Sequence, residues 1–206
     1  MKTRLFIMSL ASMFMMAACT TSSPATQGGP SFEEVLASRR SVRDYDASKS
    51  ISKEEVTTLL LASQNAPSWA NTQPSRYYVA MSEDKVAAVQ KLIGERNAQN
   101  VQGAPVLIVS TFVKGQSGHF AGTPTNEIGD GWGAYDNGLA NGYLVLQARA
   151  MGFDTLIMGM RDSDGLREIF NIPEEETVMA VISLGYRASD PATPGHKALD
   201  EIVKFF

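Results

Sequence analysis

The chain has 206 residues, 44% hydrophobic and 19% charged, with a formal net charge of −4. That apolar content with so little charge excludes disorder over most of the length, and the acidic balance argues against a nucleic-acid binder. One cysteine and two histidines exclude a disulfide framework and a Cys/His zinc site by count alone.

Residues 1–18 read as an export signal. Lys2 and Arg4 supply a positive start, and Leu5 to Ala18 is apolar except for Ser9 and Ser12. That stretch is short for a membrane-spanning helix, which needs about 20 residues, and suits a signal-peptide core. Met16-Ala17-Ala18-Cys19 resembles the bacterial lipobox. The resemblance implies cleavage before Cys19, lipidation of that residue and anchoring to a membrane of the bacterial cell envelope, facing the periplasm. A plain secretory signal with an incidental cysteine is the weaker alternative. Residues 19–30 are polar, with Gly and Pro and no periodicity, and read as a flexible tether. Residues 31–206 show no repeat and no break in composition, which points to a single domain.

Ser31 and Glu34 form a capping box that opens a short helix, which ends in Arg39, Arg40 and Arg43. Ser52 and Glu55 open a second, with Val56, Leu59 and Leu60 on one stripe. Residues 76–81 read as a strand, and Ser82 caps a helix through Val86, Val89 and Ile93. Residues 105–112 are continuously apolar and predict a strand covered on both faces. Residues 113–131 form a long irregular loop, a candidate lid. Residues 132–151 predict a long helix with two apolar stripes, one through Trp132, Tyr135 and Tyr143 and one through Leu144, Ala148 and Met151. Gly152 stops it. Residues 153–158 predict a strand, Asp162 or Ser163 caps a helix, residues 177–186 predict another strand, and residues 197–203 a short amphipathic helix. The fold class is α+β with a central sheet of about four strands; a doubly wound parallel sheet also fits the pattern.

No G-x-S-x-G elbow, P-loop or Rossmann fingerprint occurs. His119 or His196 could serve as a base, but a lone loop histidine is more often a solvated side chain, and Glu174-Glu175-Glu176 reads as a solvated loop run. Two segments carry more. Arg39-Arg40-Ser41-Val42-Arg43 places three guanidiniums and a hydroxyl together, a set suited to a phosphate dianion, although a solvated basic turn would look the same. In Pro67-Ser68-Trp69-Ala70-Asn71-Thr72-Gln73-Pro74, an extended backbone would put Asn71 and Gln73 on one side, each offering a donor and an acceptor to a heterocycle edge. The alternative there is a polar loop that uses its amides for its own turns.

Taken in order and with their spacing, these segments resemble the FMN-dependent nitroreductase family. The resemblance continues through Asp136, Gly152, Ile157-Met158-Gly159-Met160, Gly185-Tyr186 and His196-Lys197, so that it covers residues 31–206. It implies an α+β homodimer, with a mostly antiparallel sheet and FMN at the subunit interface. Arg39, Arg40, Ser41 and Arg43 would hold the phosphate, the ribityl chain and the nearby ring edge. Pro67, Ser68, Asn71 and Gln73 would line the ring, with Asn71 reaching across the interface. The backbone of Met158 and Gly159 would face the flavin, the Gly159 N–H near N5, and Lys197 would assist at the phosphate. The implied reaction is a ping-pong transfer from NAD(P)H or another donor to nitroaromatics, quinones or similar flat acceptors. Three departures stand out: Ser75 where the family usually has Trp, His196 where it often has Arg, and the export signal. Because nicotinamides are scarce outside the cytoplasm, a tethered flavin-binding protein without nicotinamide turnover is the alternative, with an adhesion module behind it.

Overall fold

The computed structural model describes residues 28–206; the predicted export signal at 1–18, Cys19 and most of the predicted tether lie outside them. The chain runs α1 (Phe32–Ser38), α2 (Lys53–Ser63), a 3-10 turn (Trp69–Asn71), β1 (Ser75–Ala80), α3 (Glu83–Gln90), α4 (Glu95–Asn100), β2 (Val106–Val113), β3 (His119–Phe120), β4 (Thr123–Pro124), α5 (Gly131–Ala150), β5 (Asp154–Met158), α6 (Ser163–Phe170), β6 (Glu176–Gly185) and α7 (Leu199–Ile202). Both capping boxes form, at Ser31 with Glu34 and at Ser52 with Glu55. Asp162 caps α6, and Gly152 turns the chain after α5 at φ +85°, a backbone that favours glycine.

The main sheet has the order β1-β2-β6-β5, and every pairing is antiparallel, which excludes the doubly wound alternative. Its two central strands are apolar on both faces because helices cover both. Leu107, Val109 and Val181 face one layer, with Val89 of α3 and Leu166 of α6. Val106, Ile108, Ile182 and Leu184 face the other, with Val56 and Leu59 of α2 and Leu144 and Ala148 of α5. This two-sided burial is the reason the strand begins with the unbroken apolar run Val106 to Val109.

Of the two apolar stripes of α5, the one through Trp132, Tyr135 and Tyr143 stays outward, with Tyr135 60% exposed. The buried face instead carries Gly133, Asp136, Asn137, Ala140, Asn141, Leu144, Val145 and Ala148. Small residues permit close approach: a Cβ at Gly133 would lie 2.4 Å from the Phe112 ring. The amides there are needed by the sheet. Ser110 Oγ donates to Asn137 Oδ1 (2.9 Å) and Asn141 Oδ1 (3.0 Å), and Asn137 Nδ2 donates to Thr111 O (2.9 Å). Glu176 is not solvated; it opens β6, is buried, and accepts from Tyr78 OH (3.0 Å) and Thr111 Oγ1. His119 is largely buried too, 3.0 Å from Ser117 O, in a loop that folds into the β3–β4 hairpin rather than staying irregular.

Burial and the neighbouring Glu176 push the Tyr78 phenol up to about 12, and burial raises Tyr45 and Tyr77 as well. Unfolded tyrosines ionise near pH 10. Above that pH the unfolded chain therefore binds fewer protons than the folded one, and stability falls as pH rises from about 10 towards 12. The urea midpoint should be lower at pH 11 than at pH 9, and Tyr78→Phe should shrink the difference. Equal midpoints would refute this linkage.

Candidate functional site

The arginine cluster lies along the free edge of β5. Val42 N donates to Thr155 O at 3.0 Å, and Ser41 forms an isolated parallel bridge to Thr155. Tyr45 OH donates to Val42 O (3.1 Å) and pairs with Ser183 Oγ (2.8 Å), which anchors the turn from inside. The start of the cluster is held by a buried carboxylate. Asp154 accepts Arg187 Nη2 (2.5 Å) and Nε (2.7 Å) and Arg149 Nη1 (3.2 Å). The same two arginines reach Ser38: Arg149 Nε donates to its Oγ (3.1 Å) and Arg187 Nη2 to its O (3.2 Å). The residue after Ser38 is Arg39.

None of Arg39, Arg40 and Arg43 makes an ion pair among the described residues. Arg40 Nη2 donates to Thr193 Oγ1 (2.9 Å), which brings the C-terminal segment alongside. His196 and Lys197 follow three and four residues later, both exposed. Further along the same edge, Met158 is buried and Gly159 exposed, and a Cβ added at Gly159 would meet nothing within 4 Å. From Thr155 to Gly159 is four residues of strand, about 13 Å. One edge thus presents unpaired guanidiniums at one end and an open backbone at the other.

The second predicted segment is elsewhere. Residues 67–74 lead into β1, at the other edge of the sheet. Ser75 pairs with Phe112, which pairs with Thr177, whereas Thr155 pairs with Leu184. The arginine cluster and the start of β1 are therefore about 19 Å apart across the strands and about 24 Å apart along them. A single chain does not bring the two halves of the predicted site together.

Nor is the second segment extended, as expected from sequence. Ala70, Asn71 and Gln73 adopt φ of +43°, +58° and +49°. Gln73 N donates to Ser68 Oγ (3.0 Å), and Gln73 Nε2 donates to Asn71 Oδ1 (3.2 Å), so the two amides meet through a tight turn and partly satisfy each other. Left-handed backbone at three non-glycine residues costs of order 1 kcal/mol each and persists where surroundings over-determine it. Asp136 supplies that constraint. Buried on α5, its Oδ2 accepts from Trp69 N (2.9 Å) and Ser117 Oγ (2.6 Å), and Ser117 Oγ contacts Thr72 Oγ1 at 2.7 Å. The sequence offered Asp136 only as part of a resemblance; its structural role depends on Ser117, 19 residues away. A cleft of about 500 Å³ opens beside this turn, lined by Pro67, Ser68, Gln73, Ser75 and Asp136. Ser75, small at a position where a large ring was expected, leaves room there and accepts from Asn137 Nδ2 (3.1 Å). Neither histidine lines the cleft, and the described residues hold no cluster suited to a metal ion.

The sequence model of the Nitroreductase family matches residues 36–186. YdgI of Bacillus subtilis strain 168, which carries the name of an NAD(P)H nitroreductase, is 26% identical over 203 residues, covering 84% of this chain and 97% of its own length. YodC of the same organism, similarly named, is 29% identical over 183 residues, covering 77% and 90%. Among solved structures, a nitroreductase from Exiguobacterium sibiricum 255-15 in complex with FMN superposes with a TM-score of 0.76 at 24% identity, covering 88% of this chain and all of that one. The family model spans most of the chain and the fold is shared with that solved structure, so the chain belongs to the nitroreductase family.

Proposed function

We propose that this protein is an NAD(P)H-dependent FMN oxidoreductase acting as a homodimer on flat, electron-poor acceptors such as nitroaromatics or quinones. The observation that carries the reading is the β5 edge: three guanidiniums without carboxylate partners among the described residues, followed by an open backbone at Gly159. Such a set suits a phosphate dianion, because each guanidinium offers paired charge-assisted donors. FMN, when bound, supplies the hydride and electron-transfer chemistry. Arg39, Arg40, Ser41 and Arg43 would grip its phosphate and ribityl chain, with His196 and Lys197 beside them, and the N–H of Gly159 would meet the ring. Pro67, Ser68, Asn71 and Gln73 would come from the partner subunit. Their position at the opposite corner of the sheet supports a site completed by two chains. So does the outward stripe of α5: Tyr135 and Tyr143 stay exposed, as do Phe32 on α1 and Leu61 on α2, an apolar area suited to a second copy.

The test is anaerobic. Protein saturated with FMN should lose its flavin absorbance within seconds of adding NADPH or NADH and regain it with a nitroaromatic or quinone. Bound flavin that neither nicotinamide bleaches would favour the tethered flavin-binding alternative, and absence of bound flavin would overturn both readings.

The envelope location is a separate proposal, supported by the Met16–Cys19 motif. Cys19→Ala should release the protein from the membrane fraction. Unchanged membrane association would remove the lipid-anchor reading.

A further inference from the structure

We propose that Arg161 is a positioning residue for the flavin: it holds the Gly159 backbone beside the ring and supplies a fixed positive charge that stabilises the reduced state. The inference rests on the FMN reading above.

After β5 the chain passes through Gly159 and Met160, and Arg161 turns back over it. Arg161 Nη1 donates to Gly159 O at 2.6 Å, and Nη2 donates to Val178 O on β6. The side chain thus ties the open glycine to the neighbouring strand. It is half-buried, and its Nε is buried with no hydrogen-bond partner. No carboxylate among the described residues pairs with it. The adjacent Asp162 is engaged in capping α6, its Oδ1 accepting from Asp164 N and Gly165 N, both at 3.1 Å.

This is an expensive way to keep a cation. Burial pulls the Arg161 pKa down, yet an arginine remains charged in a protein. Compensation comes only from carbonyl dipoles, and buried charge is ordinarily paired. Arg149 and Arg187 follow that rule through Asp154. Arg167 is bound only to carbonyls too, but it lies at the C-terminal end of α6, where the helix dipole is negative. Arg161 has neither a carboxylate nor a helix end. What it has is the open space at Gly159.

A ligand that becomes anionic there would complete the pair. NAD(P)H delivers a hydride, one proton with two electrons, and the neutral oxidised ring gains one negative charge. A nearby fixed cation favours that product over the neutral ring, because fixed charge in a partly desolvated site is weakly screened.

The test is potentiometric titration of the FMN-loaded full chain. Arg161→Gln keeps a donor for Gly159 O and removes the charge. The reduced state should lose about tenfold in stabilisation relative to the oxidised state, a midpoint about 30 mV lower for a two-electron couple. Arg161→Lys keeps the charge and should stay close to the wild-type midpoint. Arg161→Met is a second neutral variant, should Gln not fold, and should fall as Gln does. An unchanged midpoint in a neutral variant that still holds FMN would overturn the proposal. So would neutral variants that fail to fold while Lys folds, since the role would then be structural. Wild-type protein that holds no FMN would instead overturn the flavin reading itself, a failure visible before any variant is made.

Discussion

Asp154→Ala should lower the stability of the protein by about 3–5 kcal/mol, the cost of removing one partner from a buried ion pair. Asp154 is 3% exposed and is the shared counter-ion of Arg149 and Arg187. Its bond to Arg187 raises that guanidinium's pKa further above the ordinary arginine range. Without the carboxylate, two half-buried cations remain with Ser38 and each other. For a domain of this size the loss corresponds to a drop of about 6–20 °C in Tm. Asp154→Asn, which keeps an acceptor, should lose less. A melting temperature within about 2 °C of wild type would show that the cations relax into solvent, and the triad would then be a minor contributor. FMN affinity should fall along with stability, because Ser38 leads directly into Arg39.

Subunit complementation should show whether the site is built from two chains. Arg40→Ala/Arg43→Ala removes two of the proposed phosphate ligands. Hydrogen bonds to charged groups contribute about 1.5–3 kcal/mol each, so FMN affinity should fall by a hundredfold or more. Asn71→Ala/Gln73→Ala removes the amides at the other corner and should weaken binding less. Each homodimer has two defective sites. A heterodimer of the two variants has one site with both defects and one with neither. Random re-association of equal amounts should therefore restore about a quarter of the sites to wild-type affinity, as two-fold symmetry requires. No restoration would mean that both halves serve the same chain's flavin, which the spacing across the β-sheet makes hard to build.

Local chemistry carried much of the fold into the sequence. The Ser31/Glu34 and Ser52/Glu55 boxes marked helix starts because both bonds close within four residues. The apolar run that becomes β2 announced a strand with both faces covered. Gly152 marked the end of α5 because a left-handed turn there favours glycine. The reading failed where neighbours distant in sequence decide. Glu176 looked solvated at the end of a run of three glutamates, yet Thr111 and Tyr78, 65 and 98 residues away, bury it. The sequence of α5 showed two apolar stripes, and nothing local chose between them. Hydropathy alone could not reveal that Ser110 and Thr111 would need Asn137 and Asn141 against the sheet. The helix α4, a polar six-residue element begun at Gly94 without a side-chain cap, left no signal.

The same division holds for the site. Sequence by itself determined which residue types stand close together in the chain: an arginine cluster after α1, paired amides before β1, a glycine after β5. Those are short-range facts, set by covalent spacing. Only the tertiary structure decided that the arginines and the glycine share one edge of the sheet while the amides occupy the opposite corner. Strand order did this, since β2 and β6 lie between β1 and β5. It also decided that Asp136 would hold three left-handed residues in place and that Arg161 would lie over Gly159 without a counter-ion. Burial, pairing and strain are properties of neighbours in space, and strand pairing brings together residues that chain spacing leaves far apart.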